Sequence, residues 1–259
     1  MIKRRRLPVI AVIIVLAAAA AAAQPNTERP GSGMRLGLRV DYFSQAVSWE
    51  DTGGESTSDL NSALAAAVLQ FRFGRDSEAS FFVGYGASDI NGLTFRALPF
   101  SVDYQAGAGG GLALGTEFDF ALAAGRRARV GLQGDVTAFL GSSRKWDIPG
   151  LAVAGSLEGK PTWVRARVGP VLAFGSETQI RPYLFPFFHY VWGNFEMSEA
   201  IESLSGKEKK DLRGKSLFGV AGGLDIPLSP GVKLRAEAGV YPRSGGAGYS
   251  ATLATMFSF

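Results

Sequence analysis

The chain contains one histidine and no cysteine. Chemistry that needs an imidazole base or an activated nucleophile would have to use His189, in the stretch FFHYVWGN. No serine or acidic residue pairs with it locally in a catalytic motif. A lone histidine without cysteines is a poor basis for a zinc site, and no disulfide framework is possible. The expectation is a histidine at an aromatic rim beside Tyr190 and Trp192, in a protein that is not an enzyme and uses no cofactor or metal. A second stretch, GAGGGLALG at residues 107–115, looks at first like a phosphate loop. It leads into an alternating segment rather than a helix and lacks the lysine pattern, so it fails the context that chemistry requires.

The charged residues carry more information. Arg35, Arg39, Arg72, Arg129, Arg165, Arg167, Arg181, Lys233 and Arg235 fall on one parity of alternating segments. Asp41, Glu117, Asp119, Asp135, Asp225 and Glu237 fall on the same parity. If that parity lines an enclosed space, charges of both signs meet there and must pair, because an unpaired buried charge is costly. The space would be plugged, or a narrow solute path with a slight preference for anions. Gly37, Gly84, Gly86, Gly115, Gly131, Gly169, Gly219 and Gly239 share the parity and leave room for arginine side chains or water.

The elements that must position these residues are strands. From Met34 onward the dominant period is two. In 34–43, Leu36, Leu38, Val40 and Tyr42 alternate with Arg35, Gly37, Arg39 and Asp41. Segments 128–140 and 232–241 repeat the pattern, and weaker examples span 62–73, 79–88, 109–122, 161–174, 180–193, 216–227 and 248–259. Each is about ten residues or longer, the length of a tilted membrane-spanning strand. Short turns at 74–78, 123–127, 175–179 and 228–231 alternate with long connections at 44–61, 89–108, 142–160 and 194–215; the link at 242–247 is short. This predicts an all-β, closed, antiparallel up-and-down transmembrane barrel of about ten strands, with long extracellular loops and short periplasmic turns. Closure follows because hydrocarbon offers no partner to a sheet edge. Eight or twelve strands are the alternatives, since Leu93–Tyr104 after Asn91-Gly92 could add a strand. Pro170, Pro182 and Pro186 fit poorly in central strands and suggest bulges or segments outside the membrane.

The first 23 residues read as a secretory signal peptide: Lys3, Arg4, Arg5 and Arg6, then the apolar run Val9–Ala23, then Ala21-Ala22-Ala23 before Gln24. Residues 24–33 form a polar lead-in, and 34–259 the barrel. The formal charge of +4 belongs to the signal segment; without it, 23 basic residues face 23 acidic ones, so nothing favours nucleic acid as a partner.

In the terminal segment GYSATLATMFSF, Tyr249, Ala251, Leu253, Thr255, Phe257 and Phe259 share one parity, facing lipid if the last strand closes on the first. With the alternating strands, this segment resembles the small bacterial outer-membrane barrels of the OmpA-like and porin-like kind. The resemblance implies a place in the bacterial outer membrane, in contact with its lipid. It also implies that Tyr249, Phe257 and Phe259 form part of the signal read by the barrel-assembly machinery. Trp49, Trp146, Trp163 and Trp192 lie near the long-loop ends and suggest an outer interfacial belt. The expected role is a non-enzymatic barrel, structural or a narrow passive channel, present as a monomer. The alternatives are surface recognition of an unknown extracellular ligand through charged loops such as 207–215, and, third, a hydrolase built on His189.

Overall fold

The computed structural model describes residues 33–258 apart from 52–53, 74–76, 91, 97–101, 104–106, 126, 148–154, 177, 202–203, 230 and 244–245. The predicted signal peptide, most of the lead-in and Phe259 lie outside the described residues. The strands in chain order are β1 (Met34–Asp51), β2 (Gly54–Phe73), β3 (Ser77–Ile90), β4 (Thr94–Phe95), β5 (Val102–Asp103), β6 (Gly109–Ala124) and β7 (Ala128–Gly141). They continue as β8 (Arg144–Asp147), β9 (Gly155–Phe174), β10 (Arg181–Ile201), β11 (Leu204–Gly214), β12 (Phe218–Ser229), β13 (Val232–Arg243) and β14 (Gly246–Ser258).

Ten of these strands close into a ring in the order β1-β2-β3-β6-β7-β9-β10-β12-β13-β14, and every pairing is antiparallel. The last strand pairs with the first from Arg35↔Ser258 to Ser44↔Tyr249. Burial sets the sides of the wall: Leu38 is 64% exposed, whereas the next residue, Arg39, is 4% exposed. The apolar parity therefore faces out and the charged parity faces in, the reverse of a soluble barrel and what a lipid surround requires.

The long connections turn out to be mostly strand. Segment 44–61, expected as a loop, continues β1 and β2 as one hairpin paired out to Asp51↔Gly54. Segment 194–215 likewise becomes the upper part of β10 and all of β11, paired from Trp192↔Arg213 to Ile201↔Leu204. The inward positions here are apolar as well as polar, so strict alternation fades while backbone pairing continues. Strand β8 adds to β9 beyond the ring. The possible extra strand at Leu93–Tyr104 is only the small β4–β5 pair, outside the ring.

The link between β13 and β14 is short, so their hairpin ends lower than its neighbours. Just above it β1 and β11 meet directly, at Val47↔Gly214 and Ser48↔Arg213. The prolines do not bulge the wall. The β9–β10 ladder stops at Leu184↔Leu172 and resumes at Phe188↔Val168 in the same register, which sets Pro186 opposite Pro170 in the gap. Neither can donate, and β12 pairs with β10 without interruption from Arg181 to Phe188. The two register shifts, at Ala121/Ala123 and Pro227/Ser229, lie at the short-turn end.

Candidate functional site

The inward parity of the ring brings the predicted charged residues together as a layered network. Arg39 donates to Asp41 and Glu117, both at 2.5 Å, and Thr252 donates to the other Asp41 oxygen at 2.6 Å. The second oxygen of Glu117 accepts from Arg235 at 2.7 Å. Arg235 also donates to Asp225 at 2.8 Å and to Glu78 at 3.3 Å. Asp225 is shared further with Arg181 at 2.7 Å and Lys233 at 3.2 Å. Glu117 is on β6 and Arg235 on β13, five places apart in either direction around the ring. This ion pair therefore spans the full diameter of the lumen.

A second set sits beside it. Arg167 donates to Asp135 at 2.6 Å and to Glu237 at 3.0 Å, and Tyr183 donates to Glu237 at 2.9 Å. Arg165 approaches Asp135 at 3.7 Å and stacks over Phe43 at 4.7 Å. Arg129 grips Asp119 through two nitrogens, at 2.5 and 3.1 Å. Arg35 donates to Ser258 at 2.9 Å, and the half-buried Arg72 lines the short-turn opening.

Above this network the interior holds a large apolar cluster. Phe43, Leu60, Ile90, Phe139, Trp163, Val191 and Phe195 are fully buried in one cluster. Trp163 packs edge-on against Phe43 with centroids 4.9 Å apart, stacks on Phe139 at 5.5 Å and donates to Ser88 at 3.0 Å. Leu93 and Phe95 from the connection between β3 and β6 enter the same cluster, and Phe95 meets Phe195 at 5.5 Å. The Arg96 amide donates to Glu208 at 2.5 Å, which holds this cover against β11.

Several expectations change here. Trp49 and Trp163 are buried inside the barrel and Trp146 packs against the same cluster, so these three do not form an outer belt. The reason is parity: Trp49 and Trp163 stand on the charged, inward side of β1 and β9. Trp192 alone stacks on the exposed Tyr190, with centroids 5.7 Å apart. His189 also points inward, away from that pair, and lies between Phe187 at 5.9 Å and Tyr241 at 4.5 Å. Neither of its ring nitrogens has a hydrogen-bond partner among the described residues.

The inward glycines make room for the backbone and the side chains of neighbouring strands; a side chain at Gly84 or Gly169 would strike backbone. A side chain at Gly115 would strike the Phe82 ring, and one at Gly219 would strike the Phe187 ring. Gly131 is the position that borders an arginine, Arg129.

Glu78 belongs to the network yet was hidden in the sequence, because it stands where a turn ends and β3 begins. Tyr183 and Thr252 were hidden because they carry no formal charge. Buried Lys210, which pairs with Glu208 at 3.1 Å, fell in a segment read as loop. Outside the ring, a hydrogen bond from Ser48 and the nearby Lys215 ammonium hold the exposed Glu55 carboxyl below its usual range. Of the terminal positions, Tyr249 and Phe257 face outward, 56% and 38% exposed.

A closed antiparallel ring with an apolar exterior and a charged interior is the architecture of a transmembrane β-barrel of the outer-membrane class. No family model matches the chain, and no curated protein matches it. Solved structures do. The translocator domain of the autotransporter NalP from Neisseria meningitidis is 14% identical, covering 97% of this chain and 98% of that chain, with a TM-score of 0.46. The outer membrane protease OmpT from Escherichia coli is 9% identical, covering 91% and 100%, with a TM-score of 0.46. The attachment invasion locus protein Ail from Yersinia pestis is 10% identical, covering 87% and 99%, with a TM-score of 0.34.

Proposed function

We propose that this chain is a non-enzymatic, non-conducting barrel of the bacterial outer membrane, a structural platform that holds an ordered β-extension above the membrane. The observation that carries this reading is the Arg235–Glu117 pair at 2.7 Å across the lumen, beneath a fully buried aromatic cluster. A solute would have to break the ion pair and displace Trp163 and Phe43 as well. The non-enzymatic part of the reading rests on His189, which packs against the Phe187 and Tyr241 rings and whose ring nitrogens make no hydrogen bond among the described residues. The partners in this reading are outer-membrane lipid and, during assembly, the barrel-assembly machinery acting on the last strand. The test is single-channel conductance in a planar bilayer, with protein whose folding is established by its mobility on an unheated gel. Silence is the expected result, and discrete conductance steps would refute the closed lumen.

A second reading, surface recognition, is favoured by the cross-strand ladder on the outer face of the extension. Lys160, Glu196 and Lys209 stand side by side there on β9, β10 and β11. Such a rigid, charged face suits a ligand better than a mobile loop does. Its test is loss of cell-surface binding in Lys160→Ser/Lys209→Ser protein that still assembles.

A further inference from the structure

We propose that the short-turn end of the barrel holds a vestibule that binds a phosphate or a phosphate ester from the periplasm. A cavity of about 520 Å³ opens there, walled by Arg35, Arg72, Arg181, Lys233, Glu78 and Asp225. Among these described residues four cations face two carboxylates. One of the carboxylates, Asp225, is already shared by Arg181, Lys233 and Arg235. Its negative charge is thus spread over three partners, and the wall stays electropositive. Hydroxyls of Thr178, Ser229 and Ser258 stand on the same wall and supply further donors.

Towards the lumen the cavity narrows. Glu78 and Lys233 also border a void of about 20 Å³ beside Arg235 and Glu117, room for about one water molecule. The floor is therefore the ion pair that spans the lumen.

A low-dielectric wall that focuses positive potential concentrates small anions. Guanidinium groups carry five donors in a planar fork, so an arginine can keep its partner in the protein and still donate to a ligand. That matters here, because Arg35, Arg72 and Arg181 all make contacts within the protein. A phosphate monoester carries close to two negative charges at neutral pH, which matches the difference between the four cations and two carboxylates of the wall. Binding is what is proposed here, and it holds whether or not the lumen conducts.

The test is calorimetric titration of the full chain, purified from membranes in a zwitterionic detergent, with inorganic phosphate and separately with glycerol phosphate at low ionic strength. One saturable site per chain is expected, weakened by added salt. Loss of one charge-assisted donor in Lys233→Gln or Arg72→Gln should weaken it about tenfold. Lys145→Gln, on the exposed strand β8 beyond the ring, should leave it unchanged. Each variant is checked for folding by its unheated gel mobility, and using two independent variants guards against one failing to fold. Absence of saturable binding, binding that neither vestibule variant weakens, or binding that Lys145→Gln weakens equally would each overturn the proposal.

Discussion

Arg235 contacts three carboxylates from three strands, Asp225, Glu117 and Glu78. Its removal takes a partner from each: Glu117 keeps Arg39 and Asp225 keeps Arg181 and Lys233, while Glu78 loses its guanidinium contact at 3.3 Å. Breaking a buried pair by deleting one partner typically costs about 3–5 kcal/mol. Arg235→Ala should therefore lower the urea midpoint of the folded barrel sharply. Arg235→Lys should fall between, because a single ammonium cannot reach three acids with fork geometry. A midpoint unchanged in Arg235→Ala would mean that the network is ornamental to stability. His189 predicts the opposite behaviour. Its ring packs against Phe187 and Tyr241 and makes no hydrogen bond among the described residues. His189→Phe should shift stability by no more than about 1 kcal/mol in the same urea titration.

At the scale of elements, the extension above the ring behaves as sheet. Deleting residues 207–213 would remove most of β11, which pairs with both β10 and β1, so it would disrupt the extension rather than trim a loop. Charge changes on outward positions such as Lys209 are the cleaner probe. The β4–β5 connection is held differently, by Leu93 and Phe95 in the apolar cluster and by the Arg96–Glu208 bond. Truncating a buried phenylalanine costs about 3–5 kcal/mol, more than so small an element is expected to withstand. Phe95→Ala should therefore raise protease cleavage within residues 91–105 and leave the barrel band on an unheated gel unchanged. Loss of that band would show instead that the cover is integral to barrel stability.

For the whole molecule, the proposed closure has two layers, a charged one near the short turns and an aromatic one towards the extracellular side. Removing one layer should not open the lumen. Arg235→Ala alone is expected to remain silent in a planar bilayer, because Phe43, Phe139 and Trp163 still fill the upper interior. Arg235→Ala combined with Phe43→Ala and Trp163→Ala should conduct, provided that it folds. Conductance from Arg235→Ala alone would show that the aromatic layer does not seal.

Period-two patterning, with the alternation of short and long connections, determined the strand class, a ring of about ten and the charged inward face. Lipid outside and charge inside leave only one way to orient each alternating strand, so Leu38 and Arg39 could be assigned to opposite faces from the sequence. The patterning could not reveal the extension, because above the membrane both faces can be mixed and alternation loses its meaning. Tryptophans near strand ends suggested a lipid belt, yet parity placed Trp49 and Trp163 inside. Only the tertiary structure decided which charges meet. Arg235 and Glu117 are 118 residues apart in the chain, and no local pattern encodes a contact across the diameter. Ring order and register bring them together, and that meeting decides whether the same residues line water or close the barrel.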